Sequence, residues 1–355
     1  MAYGTVQADV MGTSVAGSNL GAGNASIMKN RIINGAMVID QRNAGSAVTL
    51  NAANIYTVDR FKSYAVGGWT SAVFSAQQNK GSVTTPVGFV NYVGIATTTA
   101  DSTLSTSTTY DFGQNIEGLN TADLGWGTAN AKTITLSFQV YSNLTGTFGG
   151  SILNSAENRC YIFSYTISSA NTWTPITVTI AGDTSGTWLT TNGVGIKVNF
   201  SLGSASNKLT TAGSWNGTAY SGVTGQQNIC ASTANYIYLT GVQLEVGSSA
   251  TGYEYRQYGQ ELALCQRYYQ YLPMVEGAYF YNITTQTFRR FTVQFPVIMR
   301  ANPTATVNSG VTGASSGPAI DGTPSVTGVG ISASVAASTS SCYWTSGIVT
   351  ASAEL

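Results

Sequence analysis

Residues 236–272 read YIYLTGVQLEVGSSATGYEYRQYGQELALCQRYYQYL. Tyr236, Tyr238, Thr240, Val242, Leu244 and Val246 recur at a period of two, which predicts one long strand with these six on one face. Gly247, Ser248 and Ser249 close it with turn chemistry. Beyond Gln260 the spacing changes to three and four. Leu262, Cys265, Tyr268, Tyr269 and Leu272 then share one side of a helix expected over 259–271. Glu261 in its first turn and Arg267 near its last suit the helix dipole. Pro273 is expected to end it. A strand therefore closes one structure here, and a helix with an apolar side leads into the next.

On the N-terminal side, 132–141 (KTITLSFQVY) alternates cleanly: Ile134, Leu136, Phe138 and Val140 on one face, Thr133, Thr135, Ser137 and Gln139 on the other. That is the pattern of an antiparallel sheet with one buried face. Similar runs follow at Tyr161–Ile167, at Ile176, Val178 and Ile180, and at Ile196, Val198, Phe200 and Leu202, separated by Gly-rich turns. Short strands at this spacing predict a sandwich or jelly roll. On the C-terminal side the pattern restarts. Phe291, Val293, Phe295, Val297 and Met299 alternate, with Pro296 placing that strand at an edge or bulge. Val329–Val335 and Cys342–Ala351 are strand-like too. The predicted fold class is all-β: an extended arm over 1–29, a jelly-roll β-sandwich over 30–257, a linking helix over 258–272 and a smaller β domain over 273–355.

Composition narrows the functions. Only 8% of the residues are charged, against roughly 25% in ordinary domains. Net charge is zero and there is no histidine. Without a basic face, nucleic-acid binding is not expected. Without histidine, a Ser-His-Asp triad and histidine metal ligands are excluded. No apolar run is long enough to cross a bilayer, and the first residues do not read as a secretory signal. Cys160, Cys230, Cys265 and Cys342 lack close pairing or metal-ligand spacing, which favours buried thiols over disulfides.

Two sets of residues remain as candidates for chemistry. Asp101, Asp111, Glu117 and Asp123 lie in one stretch; they are either loop acids or the carboxylates of a glycan-cleaving site. Trp126 in LGWG and Trp215 in SWNG sit in Gly- and Asn-flanked loops. Either they offer flat faces on which a sugar ring stacks, or they plug the end of the sandwich. Residues 1–29 bury little apolar surface of their own. With Met1, Tyr3, Val6, Val10 and Met11 as contacts, they read as an attachment arm that orders against a partner, the alternative being a disordered tail.

VQLEVGSSATGYEYRQYGQELALCQRYY resembles the closing segment of a module found in bacteriophage and prophage virion proteins, tail-fibre-like appendages with a carbohydrate-binding-module-like jelly roll. RIINGAMVIDQRN (Arg31–Asn43), with Val58, Asp59, Arg60 and Phe61 after it, resembles the opening of the same module. The resemblance frames residues 30–272. It implies a virion location, a homotrimer, other virion proteins as partners through the arm, and recognition of a bacterial surface glycan without catalysis. A purely structural decoration or collar protein is the first alternative and a carboxylate-dependent depolymerase the second. No cofactor is expected. Jelly rolls of this kind commonly hold a structural calcium, for which Asp40, Asp59 and the Asp101–Asp123 region offer oxygen ligands without EF-hand spacing. Arg42, Asp59, Arg60 and Glu245 are expected in an internal network fixing the ends of the module.

Overall fold

A computed structural model describes residues 28–274, 277–283, 287–312, 318–335 and 339–355. The arm contacts Met1, Tyr3, Val6, Val10 and Met11 lie outside the described residues. The sandwich strands are, in chain order, β1 (Val48–Leu50), β2 (Tyr56–Val58), β3 (Phe61–Tyr64), β4 (Val73–Gln78), β5 (Val93–Thr99), β6 (Thr109–Glu117), β7 (Ile134–Ser142), β8 (Gly146–Leu153), β9 (Cys160–Ile167), β10 (Thr174–Ile180), β11 (Val194–Ser204), β12 (Leu209–Thr210), β13 (Trp215–Asn216), β14 (Gly222–Val223) and β15 (Tyr236–Val246). They form two antiparallel sheets, β1-β4-β5-β15-β7-β10 and β13-β9-β8-β11-β6-β3-β2, with β12 and β14 as a small parallel pair. This is the expected jelly-roll sandwich.

The alternation that predicts β7 also places it. Ile134, Leu136, Phe138 and Val140 enter the main core, and Phe138 meets Phe200 of β11 edge to face at 4.9 Å across the two sheets. The long strand β15 departs from its predicted period. Its pairing with β7 slips between Thr240 and Gln243, and Gly241 there has φ +62. A Cβ at Gly241 would sit 2.6 Å from the Phe89 ring, so both the backbone twist and the contact require glycine. The bulge exchanges the faces. Ile237 and Leu239 point inward before it, Val242 and Leu244 after it. Tyr236 and Tyr238 therefore lie on the outer side, where they stack with Tyr141 and Tyr92.

The helix α1 (Tyr258–Gln266) is shorter than the spacing predicts. Leu262, Cys265 and Tyr268 do pack together against Ile33 and Ile39. Tyr269 and Leu272 instead belong to strand β16 (Tyr269–Met274). Pro273 does not stop the helix; it lies inside β16, opposite Ile348. Tyr269 and Tyr271 are strong strand formers, and pairing to a long neighbour outweighs one further helical turn.

The smaller unit continues with β17 (Gly277–Ile283), β18 (Thr287–Gln294), β19 (Thr304–Thr312), β20 (Ala319–Ser325), β21 (Gly328–Val335) and β22 (Thr339–Ser352). β22 pairs with β16 and β17 along one side and with β19 along the other; β18, β21 and β20 form a second sheet. The strand expected through Met299 ends at Gln294, before Pro296. Phe295 and Met299 still reach the core with Ile331 and Val349, but from a loop whose amides bond to Thr327 and Val326.

The two units are clasped by charge. Glu354, just beyond β22, accepts from Arg42 at 2.7 Å and from Arg60. The Arg60 guanidinium lies 3.5 Å from the Tyr268 ring centroid and donates to Asn115 O. Arg267 is bidentate to Glu117 at 2.9 and 2.6 Å, so it serves the interface rather than the helix terminus. Arg42 and Arg60 thus share one network. Asp59 instead accepts from Gln41, and Glu245 holds the turn at Thr251.

Candidate functional site

Trp126 lies in the β6–β7 connection, just after a short 3-10 turn (Ala122–Leu124); Trp188 lies in the β10–β11 connection. The antiparallel pairing of β6 with β11 and of β7 with β10 brings both connections to one end of the sandwich. Trp215 opens β13, paired with Tyr161. The two tryptophans singled out in the sequence, Trp126 and Trp215, therefore meet, with ring centroids 5.3 Å apart. Trp188 completes a triad, at 4.7 Å from Trp126 and 5.5 Å from Trp215, with all three pairs near perpendicular. Edge-to-face packing of this kind is the favoured geometry for aromatic quadrupoles.

The triad is largely packed. Trp126 is 8% exposed and Trp188 9%, while Trp215 is half-buried. Every indole N–H is spent within the fold. Trp126 donates to Lys132 O at 2.8 Å and Trp215 to Ala181 O at 2.9 Å; Trp188 donates to Ser185 O at 3.2 Å and faces Asp183. Asp183 is itself held by a bidentate Arg159 at 2.7 Å on each oxygen. What the indoles have left to offer is ring surface. Beside Trp126 and Trp188 opens a cleft of ≈ 200 Å³, whose polar lining consists of Thr121, Thr128 and Thr190, with no charged side chain. Thr128 is tied to Gly125 O, and Thr121 to Gly118 O. Sequence spacing could place Trp188 near the others only by type; the cleft itself depends on two distant connections meeting.

The four carboxylates in the 101–123 stretch are separately engaged. Asp101 accepts from Tyr110 at 2.6 Å; burial works against its ionisation, but bonds from Tyr110, Ser71, Thr103 and Thr70 outweigh it and hold the carboxyl low. Asp111 is fully buried and accepts from Ser221 at 2.5 Å. Glu117 accepts from Arg267 and from Tyr268 at 2.7 Å, which outweighs its burial and lowers its pKa. Asp123 pairs with Arg31 at 2.7 Å. Asp40 caps the turn at Asn43 and Gly45. Among the described residues no three Cys, Asp or Glu side chains gather as a metal site would require. Cys160, Cys230 and Cys265 are buried free thiols.

Two buried carboxyls, Asp59 and Asp111, set a pH dependence. Burial pushes Asp59 and Asp111 up from 3.8 to about 7, against the bonds from Gln41 and Ser221 that favour the charged form. The folded protein therefore keeps two protons that the unfolded chain releases near ~4. Stability from this source is full at low pH and declines as pH rises through that window to about 7, levelling off above it. Asp101 and Glu117 act oppositely, losing their contribution as pH falls through the acidic range. The thermal midpoint should be higher near ~pH 5 than near ~pH 8; a midpoint that climbs between them would contradict the assignment.

Fold and site together define a class: an all-β protein whose jelly-roll sandwich carries an aromatic cleft at one end and a smaller β unit clasped beside it. No protein-family model matches the chain, and no curated protein matches it. Among solved structures it is similar to the enzymatically active domain of tailspike protein 4 of bacteriophage CBA120 (12% identity, TM-score 0.30), covering 62% of this chain and 22% of that one. It is similar to a family 4 carbohydrate-binding module (16% identity, TM-score 0.29), covering 60% of this chain and 98% of the module. It is also similar to a protein described as sugar-binding from Bacteroides thetaiotaomicron (11% identity, TM-score 0.35), covering 61% and 100%. At TM-scores of 0.35 and below, neither ligand nor activity passes from these proteins to this chain. Among the described residues no helix is long and apolar enough to cross a membrane.

Proposed function

We propose that this chain is a non-enzymatic virion appendage protein whose jelly roll binds a neutral bacterial surface glycan in the cleft beside Trp126 and Trp188. One observation carries the binding reading: two indoles from separate segments, Trp126 and Trp188, line an open cleft whose polar side chains are hydroxyls, and Trp215 braces both of them. A sugar ring presents an apolar face to the indole rings, and its hydroxyls exchange bonds with threonines without the cost of burying a charge. The virion location and the three-fold assembly come from the sequence resemblance, and the attachment arm over 1–29 from its composition. Three copies raise weak single-site binding through effective concentration.

Ala122 and Thr190 line the cleft at exposed positions, so the double substitution Ala122→Arg and Thr190→Arg obstructs it without touching the core. The variant should keep the wild-type circular dichroism and thermal midpoint and bind host cells about tenfold more weakly. Light scattering on both preparations should return three times the 37.0 kDa chain. Unchanged cell binding by the obstructed variant would remove the cleft from the reading. Wild-type protein with no affinity for cells or extracted envelope glycans would leave a purely structural role.

A further inference from the structure

The residues of the indole cleft differ in what a ligand can reach. Leu124 and Ile196 are buried at its base, and Thr121 is buried with its hydroxyl spent on Gly118 O. A ligand meets the remaining ring surface of Trp126 and Trp188, half-buried Leu189, and exposed Ala122, Thr128 and Thr190. Leu119, 56% exposed, is tied to the same connection through its amide, which donates to Thr191 O at 2.9 Å, and adds apolar surface next to Thr190.

The polar equipment within reach is small. Thr128 Oγ1 donates to Gly125 O at 2.6 Å and accepts from the Asn130 amide at 3.2 Å, which leaves it one lone pair and no proton to give. Thr190 offers one hydroxyl. No Lys, Arg, Asp or Glu lines the cleft, and Asp123, the neighbour of Ala122 in sequence, is held by Arg31 at 2.7 Å. An acidic sugar therefore finds no cation there. A hexose brings more hydroxyls than these two side chains can serve, and one pressed against Leu189 and the indoles loses its water without replacement. A methyl group in the same place loses no hydrogen bond and gains apolar burial.

We propose that the cleft selects a neutral sugar carrying a methyl group, a 6-deoxyhexose or an N-acetylhexosamine, with that methyl seated against Leu189 and the rings of Trp126 and Trp188. The inference rests on the reading of the cleft as a glycan site and narrows its ligand. Thr128 can only accept, so the group facing it is a sugar O–H or the acetamido N–H, while Thr190 serves in either sense. Both kinds of sugar bring the same methyl to the same wall.

The test titrates the full chain by saturation-transfer NMR with three matched pairs. They are methyl α-L-rhamnopyranoside with methyl α-L-mannopyranoside, methyl α-L-fucopyranoside with methyl α-L-galactopyranoside, and methyl N-acetyl-β-glucosaminide with methyl β-glucopyranoside. The members of each pair differ only at the group that carries the methyl. Wild type should bind the methyl-bearing member of at least one pair about tenfold more tightly. Preference in the first two pairs assigns a deoxy sugar, and preference in the third an acetamido sugar. Leu189→Ser should keep the wild-type circular dichroism and shrink the preference to below about threefold. The obstructed variant, Ala122→Arg with Thr190→Arg, should bind neither member. The wild-type ratios decide the inference even where Leu189→Ser fails to fold. Equal binding within every pair, lost on obstruction, overturns the inference and leaves the cleft reading standing. A full preference in folded Leu189→Ser also overturns it, because the methyl then lies elsewhere. Binding that survives obstruction, or a wild type silent towards every probe, overturns the inference and the cleft reading together.

Discussion

Replacing Glu354 with alanine should destabilise the protein by about 3–5 kcal/mol, the usual loss when one partner of a buried ion pair is removed. Arg60 is 2% exposed and cannot shed its charge, so without Glu354 it is a buried guanidinium with one carbonyl and the Tyr268 ring for company. Arg42, stacked 3.6 Å from the Tyr269 ring centroid, loses its carboxylate as well. The flanking residues hold the same segment in place: Arg300 donates to Ala353 O at 2.6 Å and Glu354 O at 3.0 Å, and Lys62 to Leu355 O at 2.6 Å. Urea unfolding should show the consequence in its shape. Wild type should lose both β units in one transition, whereas Glu354→Ala should separate a step for the smaller unit. Glu354→Gln should lie between the two, since the amide keeps one hydrogen bond to the arginines. A single transition with a loss below ~1 kcal/mol in the alanine variant would mean that apolar packing, not this clasp, couples the units.

The clasp also marks where sequence reading stops. Arg42 and Arg60 are legible as charges needing partners, but Glu354 lies 294 residues from Arg60, and no local pattern connects them. Regular alternation, by contrast, is local and was enough to place β7, whose four inward residues all reach the core. In β15 the same rule fails at one residue. A lone glycine inside a strand is the available signal of a bulge, and Gly241 carried it; counting in twos across it put Tyr236 and Tyr238 on the wrong face. The site divides similarly. Residue type and flanking turns single out Trp126 and Trp215, while their burial depends on what two other connections bring over them.

Trp126→Ala should cost about 3–5 kcal/mol, as for a large aromatic removed from a core. The loss has three sources: the apolar area of an indole 8% exposed, two edge-to-face contacts of about 0.5–1.5 kcal/mol each, and the Lys132 carbonyl left without its donor. Trp215→Ala should cost less, because Trp215 is half-buried and its removal leaves the Trp126–Trp188 pair intact. Since the rings touch, the double variant should fall short of the sum of the two single losses. Chemical denaturation of the four proteins in the cycle measures this; additivity within ~0.3 kcal/mol would mean that the triad does not act as a unit. The same energetics decides how binding has to be tested. An alanine at Trp126 that abolished glycan binding would report a collapsed end of the sandwich as readily as a lost stacking surface. Trp126→Phe keeps an aromatic ring but gives up the bond to Lys132, so it should retain most of the stability while altering the wall of the cleft. If that variant folds like wild type and still binds cells at wild-type strength, the indole at 126 is a core residue alone, and recognition rests on other parts of the lining.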